Sequence, residues 1–278
     1  MTPRALLEVL HDAGGVLAVA KPAGLPTQAP PGIDSVESLV RTQLFGQRFR
    51  EAIAAAAAGG RVRHPGGFLG VPHRLDRPVS GVVLLATTPR AARQLSRQFE
   101  RRQVVKTYLA LVAARGPHGL AVGDTFTWED LVRKVPDEPR GEIVAEGSGA
   151  DPSNAEGTAG AARAVTRGRV LDITGDRLRL ELVPETGRMH QLRVQAAARG
   201  LPVVGDLLYG GPALSTADDV TADHAAAGND AADDATDPRS RPIALHAWRI
   251  AFTDPETGAP VEVTCESGWR GCGFRGRA

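Results

Sequence analysis

Hydrophobic and polar residues along the chain alternate with two periods, one typical of strands and one typical of helices. Short apolar or alternating runs predict strands over residues 16–20, 81–88, 104–114, 177–183, 242–252 and 260–265. Apolar positions three and four residues apart predict helices over residues 35–60, 89–102 and 186–200. Residues 114–164 are rich in Gly, Pro and charge, so we expect short strands and long loops there.

Local signals mark where several of these elements begin. Ser35 is a good N-cap for the first helix, and Pro89 suits the first turn of the second helix. Because alternating strands and helices interleave through turn-rich connections, the pattern favours an α+β fold. In this fold a mixed, largely antiparallel sheet is flanked by helices.

The chain has 278 residues, of which 42% are hydrophobic, and it contains no repeat or clear linker. We therefore expect a single domain over residues 1–278 with a sizeable core. No apolar run of 18 residues and no secretory signal is present, so a membrane span is not expected. The two cysteines, Cys265 and Cys272, show no metal-ligand spacing with histidines, so we predict no metal site. A cytoplasmic monomer with no obligate protein partner is the expectation.

Charge is distributed unevenly along the chain. Residues 215–238 contain seven Asp and no Lys or Arg, whereas the whole chain carries a net charge of +1. Removing the −7 of this segment leaves +8 on the remainder, a surplus that suits an anionic polymer. The segment is also of low complexity, which predicts a disordered acidic insertion loop over residues 215–240.

Three short stretches contain residue types that carry chemistry. "PHRLDRPVSG" at 72–81 places Asp76 among cations, "KTY" at 106–108 ends in Tyr108, and "TGRMHQLRV" at 186–194 contains His190 and Arg193. The first is either a solvated charged loop or a carboxylate held among cations for a purpose. His190 and Arg193 are three residues apart, so they share one face of a helix. Each stretch taken singly also has a plain structural interpretation.

Six motifs, taken in order, point to a family. They are "KPAG" at 21–24, "HRLDRPVSG" at 73–81, "KTYLALV" at 106–112, "TGRMHQLRV" at 186–194, "GDLLYG" at 205–210 and "ALHAWRIAF" at 244–252. In this order the chain resembles the RluA-type RNA pseudouridine synthases over nearly its whole length. Met189 and Gln195 depart from the residues common in that family, which puts fine substrate contacts in doubt. The N-terminal accessory RNA-binding domain that many members carry is not expected here.

The resemblance implies an isomerase that converts uridine in ribosomal or transfer RNA to pseudouridine without a cofactor. Its partner would be structured RNA, from which the target nucleotide is flipped out. The implied catalytic residues are Asp76, as the carboxylate, Tyr108 against the uracil, and Arg193 as the ion-pair partner of Asp76. The residues expected to bind substrate are His73, Arg74, Arg188, His190 and Gln191.

Two rival functions and two mechanistic questions remain open from the sequence. The rivals are an Asp-dependent nucleosidase or glycosidase, which usually needs a second carboxylate, and a non-catalytic RNA-binding module. The sequence does not distinguish attack by Asp76 on the sugar, attack on the ring, or assistance to a glycal. Tyr108 is either a stacking surface or a base.

Overall fold

The computed structural model describes residues 6–46, 67–144, 160–215 and 241–266, and these contain ten strands in one sheet. The strands are β1 (Val9–Ala13), β2 (Val16–Lys21), β3 (Ser80–Ala86), β4 (Val105–Ala113), β5 (Thr125–Lys134), β6 (Gly141–Val144), β7 (Ala162–Thr174), β8 (Arg177–Pro184), β9 (Leu245–Thr253) and β10 (Pro260–Thr264). Their order is β1-β2-β3-β9-β4-β8-β7-β5-β6, with β10 beside β9. Only the β3–β9 pair among them is parallel, so the predicted mixed, largely antiparallel sheet is confirmed.

Three helices flank the sheet in the described ranges: α1 (Val36–Phe45), α2 (Pro89–Glu100) and α3 (Gln191–Ala198). The Ser35 side chain accepts a hydrogen bond from the Ser38 N–H and caps α1, as the sequence predicts. Thr88 caps α2 in the same way, with Pro89 at its first position. None of these helices is long and apolar enough to cross a membrane.

Strand β3 is buried on both faces and lies between the helices. Val83 and Leu85 belong to the core cluster that contains the apolar side chains of α1. Val82 and Leu84 face the other way, into the cluster that contains the apolar side chains of α2. Asp76 and the other residues just before β3 therefore lie near the middle of the sheet and not at one of its edges.

Between residues 114 and 164 the structure has the predicted loops and the short strand β6, but the sequence did not predict a strand as long as β5. The structure has a ten-residue strand, β5, which pairs with the thirteen-residue β7 over eight positions. Only Trp128 and Val132 of β5 are buried, so its apolar period is too weak to read from the sequence.

Other predictions have different outcomes. Strand β1 was not predicted, and α3 begins at Gln191 and not at residue 186. Most of the predicted acidic loop, residues 216–240, and the second part of the first predicted helix lie outside the described residues.

Candidate active site

The loop that carries Asp76 is anchored on both sides of that residue. On one side, the Leu75 N–H donates to Thr27 Oγ1 at 3.1 Å, and the Thr27 hydroxyl lies 3.0 Å from the Leu75 carbonyl oxygen. On the other side, the Arg77 carbonyl accepts the Gly24 N–H at 2.8 Å. Asp76 is therefore fixed between two neighbours whose backbones are tied to the segment that follows β2.

Lys21 reinforces the same anchor from beneath the loop. Its side chain is 1% exposed, and its Nζ donates to the carbonyls of Pro22 and Arg77, both at 3.0 Å. Burial lowers the pKa of Lys21 to about 7, and the negative charge of Asp76 opposes that shift. The sequence places Lys21 in a motif but assigns it no role. Its contacts show that it holds the Asp76 loop in position.

The two oxygens of the Asp76 carboxylate have different surroundings. Oδ2 lies 3.5 Å from an Arg193 terminal nitrogen and 3.7 Å from His190 Nε2. Oδ1 has no hydrogen-bond or ion-pair partner within the described parts of the chain. Oδ2 is therefore contacted by Arg193 and His190, whereas Oδ1 is unpaired among these residues in a side chain that is 32% exposed.

Arg193 makes its shortest contacts with a second carboxylate. Its Nε and a terminal nitrogen donate to the two oxygens of Asp206 at 2.6 and 2.7 Å, and both side chains are almost fully buried. The guanidinium also lies 5.1 Å from the centroid of the Tyr209 ring. The sequence predicts the Arg193–Asp76 contact but misses Asp206, although it lies within the quoted "GDLLYG" motif. Asp206 fixes the guanidinium so that its remaining nitrogen points at Asp76.

His190 is directed at the same carboxylate by an unusual backbone. It precedes α3 in the left-handed conformation, with φ of 52°, and its Nδ1 lies 2.9 Å from the Tyr209 hydroxyl. Burial lowers the pKa of His190, while the charge of Asp76 acts in the opposite direction. The ring therefore lies between Tyr209 and Asp76 and lines the reaction site.

Tyr108 lies on β4, close enough to Asp76 for the charge of that carboxylate to affect the pKa of the phenol. Its side chain is 9% exposed, and burial together with the negative charge of Asp76 raises the pKa of the phenol above its ordinary value. The phenol therefore stays protonated at neutral pH. Two residues earlier on the same strand, burial lowers the pKa of Lys106. The Lys106 Nζ lies 4.0 Å from the position that a Cβ on Gly187 would take.

The structure does not bring His73 and Gln191 to the carboxylate as ligands for a substrate. His73 Nε2 accepts the Leu84 N–H at 2.8 Å, its ring stacks on Phe99 at 4.7 Å, and burial lowers its pKa to about 3. The Gln191 amide bonds four groups inside the protein, on Val165, Thr166, Thr186 and Arg188. Both residues therefore hold neighbouring segments in position, a geometry that does not support their predicted role in substrate binding.

Arg74 and Arg188 lie at the surface beside the site. Both are exposed, and the positive charge of Arg74 is among the influences that lower the pKa of His190. The Nε of Arg188 donates to the Arg163 carbonyl at 3.1 Å, which orients the rest of its guanidinium outward. These two cations are therefore within reach of a nucleic-acid backbone that enters the site.

Comparison with known proteins shows the family of this chain. Residues 15–198 match the family described as RNA pseudouridylate synthase. The chain is 30% identical to the dual-specificity RNA pseudouridine synthase RluA of Yersinia pestis, over 93% of this chain and 98% of that protein. It is 29% identical to tRNA pseudouridine synthase C of Salmonella typhi, over 96% and 92% of the two chains.

Solved structures support the same fold. The human RNA pseudouridylate synthase domain containing 4 covers 93% of this chain, with a TM-score of 0.62 and 22% identity over 88% of its own length. The human domain containing 1 covers 96%, with a TM-score of 0.59 and 26% identity over 86% of its length. The chain therefore belongs to the RNA pseudouridylate synthase family and is an isomerase that acts on uridine in RNA.

Proposed function

We propose that Asp76 is the catalytic carboxylate and that it acts through Oδ1. The observation that carries this proposal is the asymmetry of its two oxygens: Oδ2 faces Arg193 and His190, while Oδ1 has no partner in the described residues. The positive charge of Arg193 lies on the side of Oδ2 and stabilises the negative charge of the carboxylate. The open oxygen is then the atom that meets the substrate.

The reaction needs one such carboxylate and no net change of atoms. The bond from uracil N1 to the sugar C1′ breaks, the uracil turns, and a bond forms between C1′ and uracil C5. The proton on C5 leaves and N1 ends with a proton, so the product is an isomer of the substrate. An ionised Asp76 serves each route left open by the sequence, whether it attacks the sugar, adds to the ring or assists a glycal.

Asp206 bears on the rival hydrolytic function. A glycosidase that used Asp76 would usually need a second carboxyl group as its acid. Asp206 is linked to Asp76 through Arg193, but both of its oxygens are bound by that guanidinium. Its role is therefore to orient Arg193, and the geometry supports isomerisation with one reactive carboxylate.

Tyr108 acts, in this proposal, as the surface on which the uracil stacks. The raised pKa of its phenol, caused by burial and by Asp76, opposes the formation of a phenolate that could serve as a base. Stacking uses the ring and not the hydroxyl, and it is unaffected by this shift.

The exposed cations deliver the nucleotide to this pocket. A uridine within a folded RNA must be flipped out of its stack, at a cost of a few kcal/mol. Arg74 would fill the space that the flipped base leaves or bind the backbone of the flipped nucleotide. Arg188 would bind a neighbouring phosphate. Both assignments rest on the exposure of these side chains beside the Asp76 site.

For the target, we propose a uridine in transfer or ribosomal RNA. A relative named as a tRNA pseudouridine synthase, which aligns with 96% of this chain, supports a tRNA site. A single chain supplies Asp76, Arg193, Asp206 and Tyr108, so we propose a monomer that needs no protein partner and acts in the cytoplasm.

Mapping pseudouridines in a deletion strain tests the target directly. Carbodiimide treatment and primer extension are applied to total tRNA and rRNA from the deletion strain and its parent. We expect at least one pseudouridine to disappear and to return with a plasmid copy of the wild type but not of Asp76→Asn. Identical maps in both RNA classes would contradict the proposed target.

A further inference from the structure

Helix α2 carries a line of four arginines on its solvent side. Arg90, Arg93, Arg97 and Arg101, here called the arginine ridge, are spaced by three, four and four residues and are all exposed. This spacing places them on one face of the helix, along about 16 Å of its axis. The buried residues of α2 are Ala91, Leu95 and Gln98, which face the sheet.

The guanidinium groups of the ridge have no carboxylate partners among the described residues. Several surface arginines on the strands, by contrast, are paired with acids. Examples are Arg163 with Glu129, Arg167 with Glu185, Arg177 with Asp176 and Arg249 with Glu262. Glu100 is the one acidic side chain of α2. The ridge is therefore a row of four exposed cations that have no carboxylate partner in the described residues.

Helix stability alone does not account for this arrangement. Cations three and four residues apart repel one another and destabilise a helix. The positive end of the helix dipole lies at the N-terminus, where acidic side chains are favourable, but α2 has no acid in its first turn and has Arg90 there. Arg97 in the last turn is favourably placed for the dipole, but at the N-terminal end of α2 the ridge is unfavourable unless a negatively charged partner compensates for the charge.

The ridge is also rigidly connected to the active site. The ring of Phe99 in α2 stacks on His73, three residues before Asp76, and His73 is fixed to β3 through the Leu84 N–H. Because β3 runs from the Asp76 loop to α2, the helix returns with Arg101 at its end nearer that loop. The helix packs on the side of β3 opposite the core cluster that contains Leu75 and Tyr108, so an RNA that contacts both Asp76 and the ridge must pass around this end of the strand.

We propose that the arginine ridge is a second RNA-binding surface that holds the phosphate backbone of a duplex arm next to the target nucleotide. Guanidinium groups bind phosphate oxygens well, and each phosphate contact releases counterions from the RNA. Phe99 is the only aromatic residue of α2 and is already stacked on His73, so the ridge offers no ring for unpaired bases. Its partner is therefore a backbone and not a single-stranded loop.

Replacement of three ridge arginines tests this surface. The variant is Arg90→Gln/Arg93→Gln/Arg97→Gln, since Gln keeps helix propensity while it removes the charge. The matched control is Arg167→Gln/Arg177→Gln/Arg179→Gln. It removes the same charge from three arginines of β7 and β8 that are paired with acids. Binding is measured by fluorescence anisotropy over a salt series. The first probe is an RNA hairpin with a stem longer than the ridge, and the second is its loop sequence as a single strand.

For the hairpin, we expect the ridge variant to bind about five-fold more weakly, or worse, at moderate salt. The slope of log K against log salt should fall by about two to three, close to one for each lost phosphate contact. The control should change the slope by less than about one, and neither variant should lose affinity selectively for the single strand. Thermal unfolding of the ridge variant should occur at the wild-type temperature or above, because like-charge repulsion is relieved.

Two outcomes would overturn the proposal. Equal losses in the two triple variants would mean that net charge and not the ridge governs binding. Unchanged hairpin affinity in the ridge variant would mean that α2 has another partner, such as an acidic protein. Neither outcome depends on the proposed RNA target, because the hairpin assay measures binding without turnover.

Discussion

The pair formed by Arg193 and Asp206 offers the sharpest test of the site. Asp206→Asn removes a carboxylate that is 1% exposed and that holds the guanidinium through two contacts of 2.6 and 2.7 Å. The Asn side chain has nearly the same size, but it offers one neutral oxygen in place of two charged ones. The buried Arg193 then has Asp76, 3.5 Å away, as its remaining carboxylate partner in the site.

Both stability and activity should fall. Removing one partner of a buried ion pair costs about 3–5 kcal/mol, and we expect the lower end because Asn can still accept one hydrogen bond. A freed guanidinium should also move toward Asp76 and bind the oxygen that the substrate needs. We therefore expect turnover to fall by about ten-fold or more, which corresponds to at least about 1.4 kcal/mol in the barrier.

The measurements separate these two effects. Urea unfolding gives the loss of stability, and release of tritium from C5-labelled uridine in RNA gives turnover. The double variant Asp206→Asn/Arg193→Met should recover part of the stability, because no buried charge is left unpaired, but it should recover no activity. Asp176→Asn is the matched control, since Asp176 is 67% exposed and its pair with Arg177 contributes at most about 1 kcal/mol. Wild-type stability and turnover in Asp206→Asn would refute the reasoning.

The other predictions concern single residues around the same carboxylate. Asp76→Asn should abolish pseudouridine formation while RNA affinity stays within a few-fold of wild type, and a tenth of the parental rate would contradict the role of Asp76. Tyr108→Phe should retain at least about ten-fold more activity than Tyr108→Ala, because base stacking is worth about 1–3 kcal/mol. Arg188→Ala should weaken RNA binding and lower the salt slope by about one, with little effect on saturated turnover. The stability advantage of wild type over His73→Gln should shrink as the pH falls from about 6.5 toward 3. In this range His73 is protonated in the unfolded chain but not in the folded protein, so protonation favours unfolding. The free energy of unfolding should fall by no more than about 1.4 kcal/mol per pH unit.

The parts of the fold that the sequence predicts well are those with a strong apolar signal. β3 is buried along its whole length, and β8 alternates buried and half-buried positions, so both are readable without partners. β5 has two buried side chains in ten residues and is held by its pairing with β7, a contact between residues that are thirty or more positions apart. Such a strand depends on tertiary pairing, which a local pattern does not contain.

Within the site, the sequence predicts roles for Asp76, Tyr108 and Arg193 through the motifs but assigns none to the groups that support them. Asp206 and Lys21 stand in quoted motifs, yet their roles follow from burial and from contacts across the fold. Gln191 shows the opposite error, since a polar residue beside the site was expected to bind substrate. Its amide instead bonds the turn before α3 and the start of β7. A sequence lists polar groups, whereas only the structure shows which of them are already satisfied.

The distribution of satisfied and unsatisfied groups explains how one carboxylate can be both charged and reactive. If Arg193 formed a two-point ion pair with Asp76, both oxygens would be blocked and the nucleotide would have to break a strong contact. Asp206 takes that two-point contact instead, so Arg193 is left with a single, longer approach to Asp76 Oδ2. His190, held by Tyr209, adds a second interaction on the same oxygen. The negative charge is thus stabilised on the side of Oδ2, and Oδ1 has no partner among the described residues. Asp206, which is buried and contacts no substrate in this proposal, is therefore needed to keep Oδ1 of Asp76 available for the reaction.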